Sequence, residues 1–410
     1  MTLLQEGEAT GAATAPDRPA APYTDHPAHR PAVRALRLSA FAGHRRITLP
    51  LGPFTLITGP SGSGKSSALR AYELLARLAS GTPLAQAVPD PEACVPEQAG
   101  PDRQGRRGFR LGCLVEGPAG RVRLDLAVQV EPELRIAGER LSLGDVVLME
   151  SALRDPARRA VHAVWHPAGH APATGVPLPD DQLATALLPL HVAGATDGQR
   201  SVLAAAEQAV LALRSSYACD PQPSRMRAPV PPGPGRLLRD CGNLADVLRR
   251  TRAECGTRHA QLVAAARAGS TGAVMDVRAE SAAAGHIRAV LDRGGAAATP
   301  LAHLGDGELR HLALSLVLLT GPGVLAVDQV GEVPSALQPL TVLADGLDRD
   351  LDRRQREELL RLAARMCARG HIRLVAAVGE DAAGAGRAAG AAMVDLGRDR
   401  EGTEHHERRS

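Results

Sequence analysis

The sequence predicts an α/β protein in which one mixed sheet is assembled from the two ends of the chain, with a mostly helical segment inserted between them. Three observations carry that prediction. Short apolar strand patterns alternate with helical ones in residues 33–79 and again in residues 308–396. A glycine-rich turn joins the strand pattern Phe54–Thr58 to a helical pattern that opens at Ser66. Hydrophobic residues make up 44% of the 410, enough for a sizeable core built mainly from Ala, Val and Leu.

In chain order, residues 1–31 are rich in Ala, Pro, Thr and Gly without periodicity, which predicts a disordered arm. Val33–Ser39 alternates as a strand, Arg46–Leu51 returns, and Phe54–Thr58 reads as a short buried strand. Ser66–Ala79 carries Leu69, Leu74, Leu75 and Leu78 at helical spacing, and residues 80–108 read as a loop rich in Pro, Gly and Arg. Arg110–Glu116 and Arg121–Val130 alternate around Gly117-Pro118-Ala119-Gly120, a hairpin signal. Ser201–Ser215, Asn243–Glu254 and Arg258–Ala268 have helical patterns, and Pro229–Gly235 is a linker. The last third reads as helix Glu308–Leu319, strand Val324–Asp328, helix Arg353–Arg369 stopped by Gly370, and strands Ile372–Val378 and Ala391–Leu396.

Composition narrows the function classes. A net charge of +3 with 23% charged residues indicates neither an acidic solvating chain nor a strongly basic nucleic-acid coat. Seven aromatics among 410 residues argue against a base-stacking surface. The six cysteines form no CxxC pair, so reduced thiols are expected rather than a disulfide framework or metal site. No basic-then-apolar leader opens the chain, and the apolar stretch Leu312–Val327 is interrupted by Thr320-Gly321-Pro322-Gly323 and is too short to span a bilayer. A cytoplasmic protein without membrane contact is the expectation.

Of the 48 basic residues, Lys65 is the only lysine. It lies in Gly59-Pro60-Ser61-Gly62-Ser63-Gly64-Lys65-Ser66, followed by Ser67, which matches the full P-loop (Walker A) pattern after a strand and at the opening of a helix. Gly59, Gly62 and Gly64 let backbone N–H groups curl around an anion, and the helix N-terminus adds partial positive charge. Lys65 would reach the β and γ phosphates as a compact point charge, which a planar guanidinium does not imitate, and Ser66 would place its hydroxyl on Mg²⁺. Val324–Asp328 supplies a candidate Walker B strand, ending in Asp328 as the carboxylate for that metal.

Leu304-Gly305-Asp306-Gly307-Glu308-Leu309-Arg310 opens a helix and resembles the LSGGQ-type signature of ABC ATPases, in the form used by RecF/SMC-like predicted ATPases. The lead-in Val33–Phe54 and the segment Arg239-Asp240-Cys241-Gly242-Asn243-Leu244-Ala245-Asp246-Val247-Leu248 resemble the same group, and the likeness covers most of residues 33–396. No long coiled coil fills the 239 positions from Lys65 to Leu304, so a compact RecF-like head with a helical lobe is expected rather than a full SMC protein. The resemblance implies a P-loop NTPase of ABC-ATPase type with flanking helices and an antiparallel β subdomain. It divides the chain into the arm 1–31, an N-terminal half of an ATPase head at 32–200, a helical lobe at 201–300, a C-terminal half at 301–397 and a charged tail at 398–410. It also implies ATP and Mg²⁺ as ligands, with Gly305, Asp306, Gly307 and Glu308 capping the nucleotide of a second copy in an ATP-dependent homodimer.

The sequence departs from that group at the hydrolytic positions. Gln329 stands where the general base, a glutamate, follows the Walker B aspartate; Gly305 replaces the signature serine. Val378-Gly379-Glu380 stands where the switch histidine is expected, and Gln338 replaces the histidine of a GLHP-like stretch at Pro334–Pro339. Glu332 is a possible substitute base, and Gln98 and Gln104 are candidates for a Q-loop glutamine. An amide orients water without accepting its proton, which implies ATP binding with turnover slowed about 10²- to 10⁴-fold. Three functions fit: an ATP-dependent dimerising switch with slow hydrolysis, a nucleotide-sensing scaffold without turnover, and a DNA-associated protein. The last draws on Arg103, Arg106, Arg107, Arg110, Arg121 and Arg123, which a solvated loop and strand face explains equally well.

Overall fold

The computed structural model describes residues 30–166, 174–295, 297–321, 324–325, 340–370 and 372–397. The candidate residues Asp328, Gln329 and Glu332, and the stretch Pro334–Pro339, lie outside them. In chain order the elements are β1 (Ala32–Phe41), β2 (His44–Pro50), β3 (Phe54–Thr58), α1 (Lys65–Ala79) and α2 (Leu84–Ala87). A run of strands comes next: β4 (Arg107–Gly117), β5 (Gly120–Glu131), β6 (Arg135–Leu143), β7 (Val146–Ala152), β8 (Ala160–Trp165) and β9 (Thr174–Pro179). The middle of the chain then gives α3 (Ala184–His191), α4 (Asp197–Arg214), β10 (Ser216–Cys219), α5 (Pro223–Met226), α6 (Leu244–Glu254) and α7 (Gly256–Gly269). The remainder is β11 (Asp276–Ser281), β12 (Ile287–Asp292), β13 (Thr299–Pro300), α8 (Asp306–Leu319), β14 (Leu340–Ala344), α9 (Arg353–Ala368), β15 (Ile372–Ala377), α10 (Ala383–Ala388) and β16 (Ala392–Asp395).

The strands form three sheets among the described residues. An eight-stranded antiparallel sheet has the order β2-β1-β4-β5-β6-β7-β8-β9; a five-stranded parallel sheet has the order β10-β14-β15-β3-β16; β11-β12-β13 form a small antiparallel sheet. Helices α1 and α4 pack together between the two larger sheets, and α7, α8 and α9 pack on one another, with α9 lying on the other face of the parallel sheet. All residues of β3, β14 and β15 are buried, as expected of parallel strands covered on both faces.

Several expectations need correction. The parallel sheet is not built from the chain ends alone, because β10, from the middle of the chain, forms its edge. Strands β1 and β2 belong to the separate antiparallel sheet, since the tight turn at Ala42-Gly43 returns the chain beside itself. Residues 135–179, to which the sequence patterns assigned no element, supply four strands, and residues 80–108 contain α2. The segment 201–300 is not purely helical: it holds β10 and the sheet β11-β12-β13, and α4 packs on α1 rather than with α6 and α7. Only Val324 and Leu325 of the strand read at Val324–Asp328 are described; Leu325 bridges Leu237 in parallel, outside the five-stranded sheet. Among the described residues no helix is long and apolar enough to cross a membrane, and the six cysteines are unpaired.

Buried polar groups tie these layers together. The Arg373 guanidinium, on β15, donates to the carbonyls of Val33, Leu51 and Gly52 at 3.2, 3.0 and 2.9 Å, joining the parallel sheet to the start of the antiparallel one. Helix α3 opens after Leu183, whose side chain cannot cap, and Glu139 on β6 accepts instead from the amides of Ala184 and Thr185 at 2.7 and 2.8 Å and from the Thr185 hydroxyl. Burial pushes the Glu139 carboxyl up to about 7, against the pull of those donors. Because that value lies above its ordinary 4.5, the folded state holds the proton more tightly than the unfolded one. Stability is therefore fullest below about pH 4.5 and is lost as pH rises toward 7, on the order of 3 kcal/mol in all. Denaturant midpoints measured from pH 4.5 to 7.5 are expected to fall in the natural protein and to flatten in Glu139→Gln; an equal slope in both assigns the effect to another group.

Candidate functional site

The P-loop pattern folds as the residue types require. Strand β3 ends at Thr58, and the chain turns through Gly59, Gly62 and Gly64 at φ of +143°, +79° and +97°. Only glycine enters that range without steric cost. Lys65, the first residue of α1, folds back so that its Nζ donates to the carbonyls of Gly59 at 2.6 Å and Pro60 at 3.0 Å. The ammonium thus sits over the mouth of the loop, while the first amides of α1 have no side-chain cap and face the same way. Ser61 and Ser66 are exposed, Ser67 is half-buried, and Ser63 is buried with its hydroxyl unpartnered among the described residues.

A cavity of about 390 Å³ opens at this loop, lined by Ser61, Gly62, Gly64, Lys65, Ser66 and Ser67 on one side. Its other walls are Asp345, Gly346 and Arg349, just past β14, and Ala377, Val378 and Gly379 at the end of β15. Parallel pairing of β3 with β15, and of β15 with β14, brings these three strand ends level at the carboxyl edge of the sheet. Open α/β sheets bind their ligands at that edge.

Asp345 was not among the residues the sequence singled out. Its signal is the apolar run Leu340–Ala344, a second buried strand ending in a carboxylate, 17 residues past Asp328. Asp345 is half-buried, and no hydrogen bond or ion pair engages its carboxylate among the described residues. The residue after it, Gly346, sits at φ +61° and carries no side chain that could act as a base. His44 was also missed. Its buried ring lies behind the loop, with Nε2 2.9 Å from the Gly64 carbonyl, and a Cβ on Gly64 would come within 2.4 Å of that nitrogen. A histidine distant in sequence offers no local pattern that would reveal this contact.

The signature-like residues stand elsewhere. Gly305 and Asp306 are exposed at the opening of α8, and none of Gly305, Asp306, Gly307 and Glu308 lines the P-loop cavity of the same chain. Asp306 pairs with Arg227 at 2.6 Å, and Glu308 accepts from Ser270 at 2.8 Å. Gly307 packs so closely that a Cβ would come within 2.4 Å of the Asp350 carbonyl oxygen. Arg310, one turn further along α8, is buried and donates to the carbonyls of Pro221 at 2.5 Å and Gly346 at 3.0 Å. It thereby ties α8 to the ends of β10 and β14. Gln98 and Gln104 are exposed in the loop before β4 and do not line the cavity. Of the arginine cluster, Arg106 pairs with Asp102, Arg107 with Glu131 and Arg123 with Asp125.

No family model matches the sequence, and no curated protein matches it. Among solved structures, the Smc head bound to the C-winged helix domain of ScpA is similar at 12% identity and a TM-score of 0.45, over 86% of this chain and 90% of that one. The SMC head domain from Thermotoga maritima is similar at 11% identity and a TM-score of 0.41, over 89% and 94% of the two chains. The Smc head domain of Pyrococcus furiosus, with an extended coiled coil and bound to the C-terminal domain of ScpA, gives 11% identity and 0.41 over 88% and 92%. At such values the reading of the site rests on its own residues.

The donor set suits a phosphate chain with a hard divalent cation. The loop offers backbone N–H groups and one ammonium, and the cavity offers a hydroxyl oxygen from Ser66 and a carboxylate from Asp345. The close approach at Gly64 gives a test of the loop. Gly64→Ala meets both an unfavourable backbone conformation and the His44 ring, with an expected cost of about 2 kcal/mol or more. In the double variant His44→Ala/Gly64→Ala, thermal unfolding should recover part of that loss, because the ring is gone while the backbone strain remains. A strictly additive double variant means that ring and loop are not in contact.

Proposed function

We propose that the chain is an ATP-binding protein of the RecF/SMC-like ABC ATPase type, a switch that dimerises around Mg-ATP and hydrolyses it slowly. The observation that carries this reading is the P-loop cavity itself. It combines three left-handed glycines, the sole lysine and a helix N-terminus at the carboxyl edge of a parallel sheet, opposite Asp345. Lys65 and the loop amides would hold the β and γ phosphates. Ser66 and a strand-end carboxylate would hold Mg²⁺, which neutralises phosphate charge and fixes its geometry when bound. Asp345 is the carboxylate on the cavity wall, and Asp328 is the alternative that the sequence pattern offers.

The exposure of Gly305 and Asp306, away from the cavity of their own chain, supports a role against the nucleotide of a second copy. Slow turnover is supported by the residue next to each candidate carboxylate: Gln329 after Asp328 and Gly346 after Asp345. Neither accepts a proton from water. The same observation favours a second reading, a nucleotide-sensing scaffold with no turnover. Association with DNA has less support, because three of the six clustered arginines are already paired with carboxylates.

Calorimetry with Mg-ATP tests the assignment. Lys65→Ala should fold normally and lose at least about tenfold in affinity, the scale of a hydrogen bond to a charged group. Asp345→Asn should raise the magnesium concentration needed for binding by about tenfold. If Asp328→Asn alone does so, the metal carboxylate is Asp328 instead.

Sedimentation should find a dimer at saturating Mg-ATP and a monomer without it; a monomer in both conditions overturns the trans-capping role of the signature segment. Single-turnover phosphate release then separates the switch from the scaffold. Gln329→Glu should raise the rate by about tenfold if Gln329 stands at the base position.

A further inference from the structure

A second cavity, of about 210 Å³, lies where α7, α8 and α9 meet, away from the P-loop. Its floor comes from α8. His311 and Ser315 are one turn apart on that helix and are 2% and 0% exposed. The Ser315 hydroxyl is buried and has no hydrogen-bond partner among the described residues. A helical serine commonly satisfies its hydroxyl on the carbonyl four residues back. Thr320, capping the end of the same helix, does this with Leu316, whereas Ser315 does not. An unsatisfied buried hydroxyl costs about 1–3 kcal/mol, so the arrangement calls for a partner inside the cavity.

The His311 ring is held against the end of α7: a Cβ on Gly269 would come within 2.3 Å of its Nδ1. Burial pushes its pKa down to about 4, so at neutral pH the ring is uncharged, with one donor and one acceptor. Leu362 and Met366 of α9 make an apolar wall. At the mouth stands Arg365, exposed and without an ion-pair partner among the described residues. Glu358 also lines the cavity but its carboxylate is paired with Arg361, and Arg369 adds a second guanidinium to the lining.

We propose that this cavity binds a small hydroxylated carboxylic acid of about ten non-hydrogen atoms, its hydroxyl on Ser315 and His311 and its carboxylate on Arg365. The size follows from the volume. The apolar middle follows from Leu362 and Met366, and the two polar ends follow from a neutral hydrogen-bonding floor and a cationic rim. An arginine matches a carboxylate with two parallel hydrogen bonds. The site is independent of the nucleotide reading, since none of its residues lines the P-loop cavity.

The test is calorimetric titration of the full chain, without nucleotide, using 4-hydroxybenzoate, 4-hydroxyphenylacetate and 6-hydroxyhexanoate as probes. At least one should bind saturably with a Kd below about 1 mM, the range open to so small a ligand. Removing the hydroxyl (benzoate, phenylacetate or hexanoate) should weaken binding at least fivefold, as should Arg365→Ala, an exposed position where folding is not at risk. Ala268→Leu, which fills the cavity from α7, should abolish it. Saturable heat from none of the three acids overturns the proposal and leaves the cavity to water. Binding unchanged in both Arg365→Ala and folded Ala268→Leu overturns it as well, because the acid then sits elsewhere.

Discussion

Parallel pairing of β3 with β15, and of β15 with β14, is the constraint on which the rest of the molecule depends. The register sets Ile57 beside Ala377 and Ala376 beside Ala344, so three strands end at one level. Because all three run the same way, each hands its next residues to the same edge: Gly59 from β3, Asp345 from β14, and Val378 and Gly379 from β15. The P-loop then faces a carboxylate across a cavity, although 280 residues separate Lys65 from Asp345 in the chain. Strands buried on both faces must be apolar throughout. That burial keeps the sheet stiff and confines its polar chemistry to the ends.

Arginine carries the internal connections of this chain. Arg373 satisfies three carbonyls where the parallel and antiparallel sheets meet, and Arg310 bridges α8 to the ends of β10 and β14. A guanidinium suits these sites because its fan of N–H groups serves several carbonyls at once while staying charged. Arg310 also makes α8 a mechanical link. Gly305 and Asp306 lie exposed at its start, the Arg310 guanidinium holds the β14 end beside the cavity, and His311 and Ser315 continue along it to line the second cavity. Lysine is reserved for the one place where a single compact charge meets the loop.

The P-loop was legible because its information is local. Gly59, Gly62, Gly64, Lys65 and Ser66 are near neighbours in sequence, and the flanking strand and helix follow from apolar spacing over a few residues. The hairpin β4–β5 was legible for the same reason, its turn and both strands lying within residues 107–131. Strands β6 to β9 were not: Gly138 and Arg140 interrupt the apolar pattern of β6, and Pro177 and Pro179 lie in β9, a residue type that argues against a strand until the pairing is seen. The carboxylate opposite the loop was missed: the sequence pattern pointed to Asp328, which lies outside the described residues, whereas Leu340–Ala344 enters the parallel sheet and hands Asp345 to the cavity.

The sequence by itself determined an α/β chain with a phosphate-type loop at the end of β3, a signature-like helix start at Gly305–Glu308, and an amide, Gln329, directly after the candidate metal carboxylate Asp328. These follow from residue identity and short-range geometry. Only the tertiary structure decided that β10 forms the edge of the parallel sheet, that Asp345 faces Lys65 and that His44 backs Gly64. Each of those is a contact between residues far apart in the chain. Strand order and helix packing create them, and no local pattern of side chains encodes which distant surface will be buried against which.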